Sequence, residues 1–61
     1  MSKPMEVNWL VEEKDYTTGM VTFSQEYSDY NEAMNTYGNL KRTNVLNTVI
    51  LQKKEKYLLQ E

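Results

Sequence analysis

The chain is predicted to be a small α+β domain, a β-β-α-β antiparallel sheet with room for a fourth strand and one helix packed across one face. Three observations lead there. Residues 5–14 alternate apolar and polar side chains with period two. Residues 28–42 repeat apolar side chains at helical spacing behind a capping signal. Residues 45–52 are a run of β-branched and aliphatic residues.

In the first segment Met5, Val7, Trp9 and Val11 share one face, and Glu6, Asn8, Glu12 and Lys14 the other, with Leu10 the exception. That is the pattern of a half-buried strand. Asp15-Tyr16-Thr17-Thr18-Gly19 reads as a turn, with Gly19 able to supply a positive φ. Met20–Gln25 resumes an extended pattern with Val21 and Phe23 on one face, so the two segments form a hairpin.

A helix follows. Ser28 is a suitable N-cap, Asp29 takes the first helical position and Glu32 adds negative charge where the helix dipole favours it. Tyr30, Ala33, Met34, Tyr37 and Leu40 fall on one face, while Asn31, Glu32, Asn35 and Asn39 face outward. Lys41 and Arg42 suit the C-terminal end. Gly38 either ends the helix or sits inside it. Residues 45–52 then read as a strand with both faces apolar around Val49, Ile50 and Leu51. Residues 53–61, with Tyr57, Leu58 and Leu59, are open to a fourth strand, an extension of the third or a short helix. A hairpin followed by a crossover helix predicts the sheet order 2-1-3.

Sixty-one residues make a single domain, 1–61. A chain this short buries only about 60% of its unfolded surface. With no cysteine and no histidine, disulfides are excluded and a zinc site is disfavoured. Self-association is the remaining source of buried area, so a homodimer is expected. No cofactor is expected. The absence of cysteine, of an apolar leader and of a membrane-length apolar run is read as a cytoplasmic protein without membrane contact.

The inventory of reactive residues argues against an enzyme. There is no histidine base and no cysteine nucleophile, and the only glycines, Gly19 and Gly38, make no phosphate-binding loop. Glu12 and Glu13, adjacent on a strand, point to opposite faces and cannot share a substrate there. Aromatics are the unusual feature: five tyrosines, one tryptophan and one phenylalanine. Tyrosine and tryptophan are enriched at binding hot spots. Trp9 and Phe23 read as core. Tyr27, Tyr30 and Tyr37 suit a core and a binding surface equally, and Tyr16 is expected in an exposed turn.

The net charge of −2 is unevenly placed. Residues 1–32 carry seven acids against Lys3 and Lys14, giving −5; residues 33–61 carry five cations against Glu55 and Glu61, giving +3. An overall pI near 5.0 disfavours direct nucleic-acid binding. The acids Glu6, Glu12, Glu13, Asp15, Glu26, Asp29 and Glu32 are either an ordinary solvated face or a row imitating phosphates.

The pattern as a whole is similar to the very small proteins that bacteriophages make to disable host enzymes. The β-β-α-β order, with Ser28-Asp29-Tyr30 opening the helix and Tyr37-Gly38-Asn39 near its end, resembles the short uracil-DNA glycosylase inhibitors of Bacillus phages. That resemblance implies an acidic dimer whose helix-region aromatics hold a protruding apolar side chain of the enzyme while acids imitate DNA backbone. Tyr30 and Tyr37 would then be the pocket aromatics, and Glu26, Asp29 and Glu32 the phosphate mimics. The seven-residue spacing of the two tyrosines is longer than in that family, and the basic C-terminal third is a second departure.

The sequence therefore predicts a non-catalytic domain that inhibits a host protein by occluding its functional surface through Glu26, Tyr27, Asp29, Tyr30, Glu32 and Tyr37. One alternative is the glycosylase-directed DNA mimic. The other is a nucleic-acid-binding accessory protein using Lys41, Arg42, Lys53, Lys54 and Lys56.

Overall fold

The computed structural model of the chain describes residues 6–57. Strand β1 runs Glu6–Lys14, β2 Val21–Tyr27 and β3 Thr48–Lys56, with helix α1 at Tyr30–Thr43 between β2 and β3. The sheet is antiparallel in the order β2-β1-β3, as expected for a hairpin followed by a crossover helix. The fold is α+β.

β1 is the central strand and its alternation decides where everything else lies. Its whole length, Glu6 to Lys14, pairs with Lys56 to Thr48 of β3, while only Trp9 to Lys14 pair with β2. The Glu6 end is therefore a two-stranded ribbon of β1 and β3. The odd-numbered face, with Val7, Trp9, Val11 and Glu13, receives the helix; the rings of Trp9 and Tyr30 meet there. Val11 and Ala33 are fully enclosed, and they form the centre of a small core. Trp9 and Phe23, expected in the core, line it half-buried, as do Val49, Leu51, Tyr37 and Leu40. Leu10, the exception to the alternation, lies on the opposite, open face diagonal to Ile50, which is 39% exposed.

Three local expectations need correction, and one alternative left open, at Gly38, is decided. The N-cap is Asp29 rather than Ser28. Asp29 is extended, its carboxylate accepts a 2.9 Å hydrogen bond from the Asn31 N–H, and the helix begins at Tyr30. Gly38 sits inside the helix, which continues to Thr43 and closes with Asn44 N–H donating to the Leu40 carbonyl at 2.9 Å. The third strand starts at Thr48, not Val45. Asn47 N–H donates to the Asn44 carbonyl at 3.1 Å, and that turn leaves Val45 and Leu46 in the connection. Met34, placed on the inner helix face, is 38% exposed. Past Gln52 the chain extends the third strand as far as Lys56. Met5, Leu58 and Leu59 lie outside the described residues.

Where β1 meets β2 the register shifts between Glu13 and Lys14. The Thr22 hydroxyl donates to the Glu13 carboxylate at 3.0 Å and also lies 3.3 Å from the Glu13 carbonyl. The same carboxylate accepts from Asn47 Nδ2 at 3.2 Å. Glu13 is 4% exposed and continues the phase of Val7, Trp9 and Val11. A buried carboxylate is tolerable only with such donors. This one ties β1, β2 and the α1–β3 connection together.

Candidate functional site: an aromatic ledge at the helix entrance

The chain leaves β2 at Tyr27 and turns through Ser28 and Asp29 into the helix, which places Tyr30 above Trp9. The ring centroids are 5.6 Å apart with an interplanar angle of 66°, an edge-to-face pair. Tyr30 keeps 47% of its surface exposed. It is thus held against the Trp9 ring while leaving about half of its surface to solvent. Tyr27, opposite Trp9 in the neighbouring strand, is half-buried, and its hydroxyl accepts from Thr36 Oγ1 at 3.0 Å. That bond clamps the end of β2 to the second turn of the helix and fixes the ledge from below.

On the other side of Trp9, β3 contributes Lys53 and Glu55, joined by a 3.1 Å ion pair. Tyr57 donates its hydroxyl to Glu55 at 2.6 Å. This bond, with help from Lys53, holds the Glu55 carboxyl below its ordinary range and pushes the Tyr57 phenol up. A second cross-strand pair, Lys56 to Glu6 at 3.4 Å, closes the ribbon. Tyr57 is 50% exposed.

The sequence-predicted site residues do not all gather here. Tyr27, Asp29 and Tyr30 do. Tyr37 is two turns further along the helix and half-buried, with Lys41 Nζ 5.2 Å from its ring centroid and donating to its hydroxyl at 3.4 Å. It cannot form one pocket with Tyr30. Glu26 pairs with Leu10 and so belongs to the open face, where Asn8 Nδ2 approaches it at 3.4 Å. Glu32 rides on the helix, on the other side of the sheet. The three acids Glu26, Asp29 and Glu32 are thus not one row.

The basic residues separate as well. Lys41 and Arg42 stand at the helix end that leads to Thr48, and Arg42 donates to the Asn39 side chain. Lys53, Lys54 and Lys56 lie toward the other end of β3, Lys53 on the helix-bearing face and Lys54 and Lys56 on the open one. At about 3.3 Å per residue, Lys56 is on the order of 26 Å along the strand from Thr48.

Trp9 is the site residue that sequence reasoning assigned to the core alone. Its signal was present in the alternation, but nothing in one strand shows that a helix begins above it. Among the described residues no group of three or more acidic, histidine or cysteine side chains could hold a metal. No helix among them is long and apolar enough to cross a membrane. Comparison with protein-family models, with curated proteins and with solved structures finds no match to this chain.

Proposed function

We propose that the chain is a non-catalytic protein-binding domain, an inhibitor that occludes a functional surface of a host protein with the ledge formed by Trp9 and Tyr30. The observation that carries this reading is an aromatic side chain left about half exposed although its ring is fixed edge-on by a neighbour. Hot spots are built this way: large aromatic area, little rotamer entropy left to lose, and a polar tip at the rim. Asp29 beside the ring supplies a polar rim.

The test is a pull-down from bacterial lysate with tagged protein, nuclease-treated, comparing the parent chain with Tyr30→Ser. One host protein recovered near equimolar and lost about tenfold or more with the variant is the expected result. Recovery that is indifferent to Tyr30, or of nucleic acid alone when nuclease is omitted, overturns the proposal.

A further inference from the structure

β2 and β3 are the edge strands of the sheet, and their outer edges are built differently. β3 carries the aliphatic Val49, Ile50 and Leu51 along one half and Lys53, Lys54 and Lys56 along the other. Turned antiparallel against a copy of itself about its middle residue, Gln52, it would set Leu51 against Lys53 and Ile50 against Lys54. An edge charged in this way discourages pairing with another strand. β2 has neither lysine nor proline, and Glu26 is its single charge.

The regular length of the β2 edge is fixed at both ends. At one end Lys14 pairs with Val21 and Glu13 with Phe23, so Thr22 is an extra residue in the ladder, and its hydroxyl is given to Glu13. At the other end the chain turns inward after Tyr27 and places Tyr30 above Trp9. Phe23 to Tyr27 is the regular stretch between them, and Gln25 is its midpoint. About Gln25 the segment Phe-Ser-Gln-Glu-Tyr reads alike in both directions: aromatic, polar, glutamine, polar, aromatic. Phe23, Gln25 and Tyr27 oppose Glu13, Val11 and Trp9 of β1, so they stand on the helix-bearing face, and Ser24 and Glu26 stand on the open one. The helix packs more over β1 and β3 than over β2. Phe23 and Tyr27 are accordingly half-buried, and Gln25 is exposed.

We propose that the β2 edge pairs antiparallel with the β2 edge of a second copy of this chain, about a twofold axis at Gln25, joining two three-stranded sheets into one of six strands. A twofold interface makes every contact twice, so it asks for a surface that complements itself. Here Phe23 of each copy meets Tyr27 of the other as an aromatic cross-strand pair, Ser24 meets Glu26, and Gln25 meets itself. The two Glu26 carboxylates each face a serine and are not set directly against one another. Because the axis passes a residue, positions of one parity oppose each other, and outward N–H groups meet outward carbonyls in either phase of the ladder. The pairing adds buried area that a chain this short lacks. Both helices come to lie on the same face of the joined sheet, with the two Trp9 positions on the order of 20 Å apart from the strand spacings. The contact is short, so the dimer is of modest affinity.

The experiment is sedimentation equilibrium of the full chain from about 5 μM to about 1 mM, with NMR spectra of the isotope-labelled chain over the same range. A monomer–dimer equilibrium is expected, with concentration-dependent shifts centred on β2. Gln25→Lys and Gln25→Glu, at an exposed position, are each expected to weaken the dimer by about tenfold or more, because like charges then meet at the axis. An equimolar mixture of the two variants is expected to regain the dimer as a mixed pair, which misfolding of either variant could not produce. No host protein takes part, so the result stands apart from the role of the ledge. A chain that stays monomeric over the whole range overturns the proposal. So does a dimer indifferent to both variants, or one weakened by both and not regained in the mixture. Shifts centred on β3, or on the loop end at Tyr16, Met20, Val45 and Leu46, place the contact elsewhere and also overturn it.

Discussion

Asp15 does more for the fold than a turn residue needs to. Its carboxylate gathers the Thr17 hydroxyl and two backbone N–H groups, and these bonds, the threonine hydroxyl foremost, hold it below the ordinary aspartate range. Because the folded value is depressed, its contribution to stability is present above the unfolded value of about 3.9 and is lost as pH falls through the folded one. Asp15→Asn is therefore expected to lower stability at neutral pH, with the gap to the parent narrowing below about pH 4. Urea unfolding at a series of pH values checks this; a gap independent of pH removes the carboxylate from the explanation. Glu13 was harder to read. Its phase with Val7, Trp9 and Val11 was visible, but the donors that make its burial tolerable, Thr22 and Asn47, lie nine and thirty-four residues away.

At the scale of elements, the strands and helix were legible because their periodicities are strong, while the boundaries turned on single polar residues. Ser28 and Asp29 are near-equal capping residues, and only the extended backbone at Asp29 with its bond to Asn31 decides between them. Val45 and Leu46 have strand-like side chains, yet the asparagines on either side close a turn around them. Gly38 shows the opposite case, a residue of poor helix propensity carried by its neighbours. A Cβ built there meets nothing within 4 Å, and its φ is not in the left-handed region. Gly38→Ala should therefore stabilise the helix by about 0.5–1 kcal/mol, which in a domain of this size raises Tm by roughly 4 °C. Thermal melts followed by circular dichroism would show it; an unchanged or lower Tm means that this part of the helix does not limit unfolding.

For the whole molecule, two layers and sixty-one residues leave little that is fully enclosed. Val11 and Ala33 are the fully enclosed apolar pair among the described residues, one from each layer. Val11→Ala removes two methyl groups' worth of burial and leaves a void, costing about 2 kcal/mol. Set against the roughly 3–9 kcal/mol expected for a domain this long, that is a large share. A fall in Tm of roughly 8–16 °C is expected; a smaller one means the layers close over the gap. The site was less legible than the fold for a reason of the same scale. Arg42 and Lys53 are set apart because β3 leads away from the end of the helix at about 3.3 Å per residue, reaching Lys53 only opposite Trp9. The ledge, conversely, unites Trp9 and Tyr30 across an entire hairpin.

Glu6 stands opposite Lys56, so the first and last residues of the sheet are neighbours. A short linker from residue 57 to residue 6 would close the backbone into a ring with every ladder pair kept, and the ring could be reopened at the exposed turn around Gly19. A circularly permuted chain of this kind would carry fusions at the loop end and leave Trp9 and Tyr30 unobstructed. Any tag attached outside residues 6–57 of the natural order instead emerges on the ledge side, on the order of 26 Å from the loops.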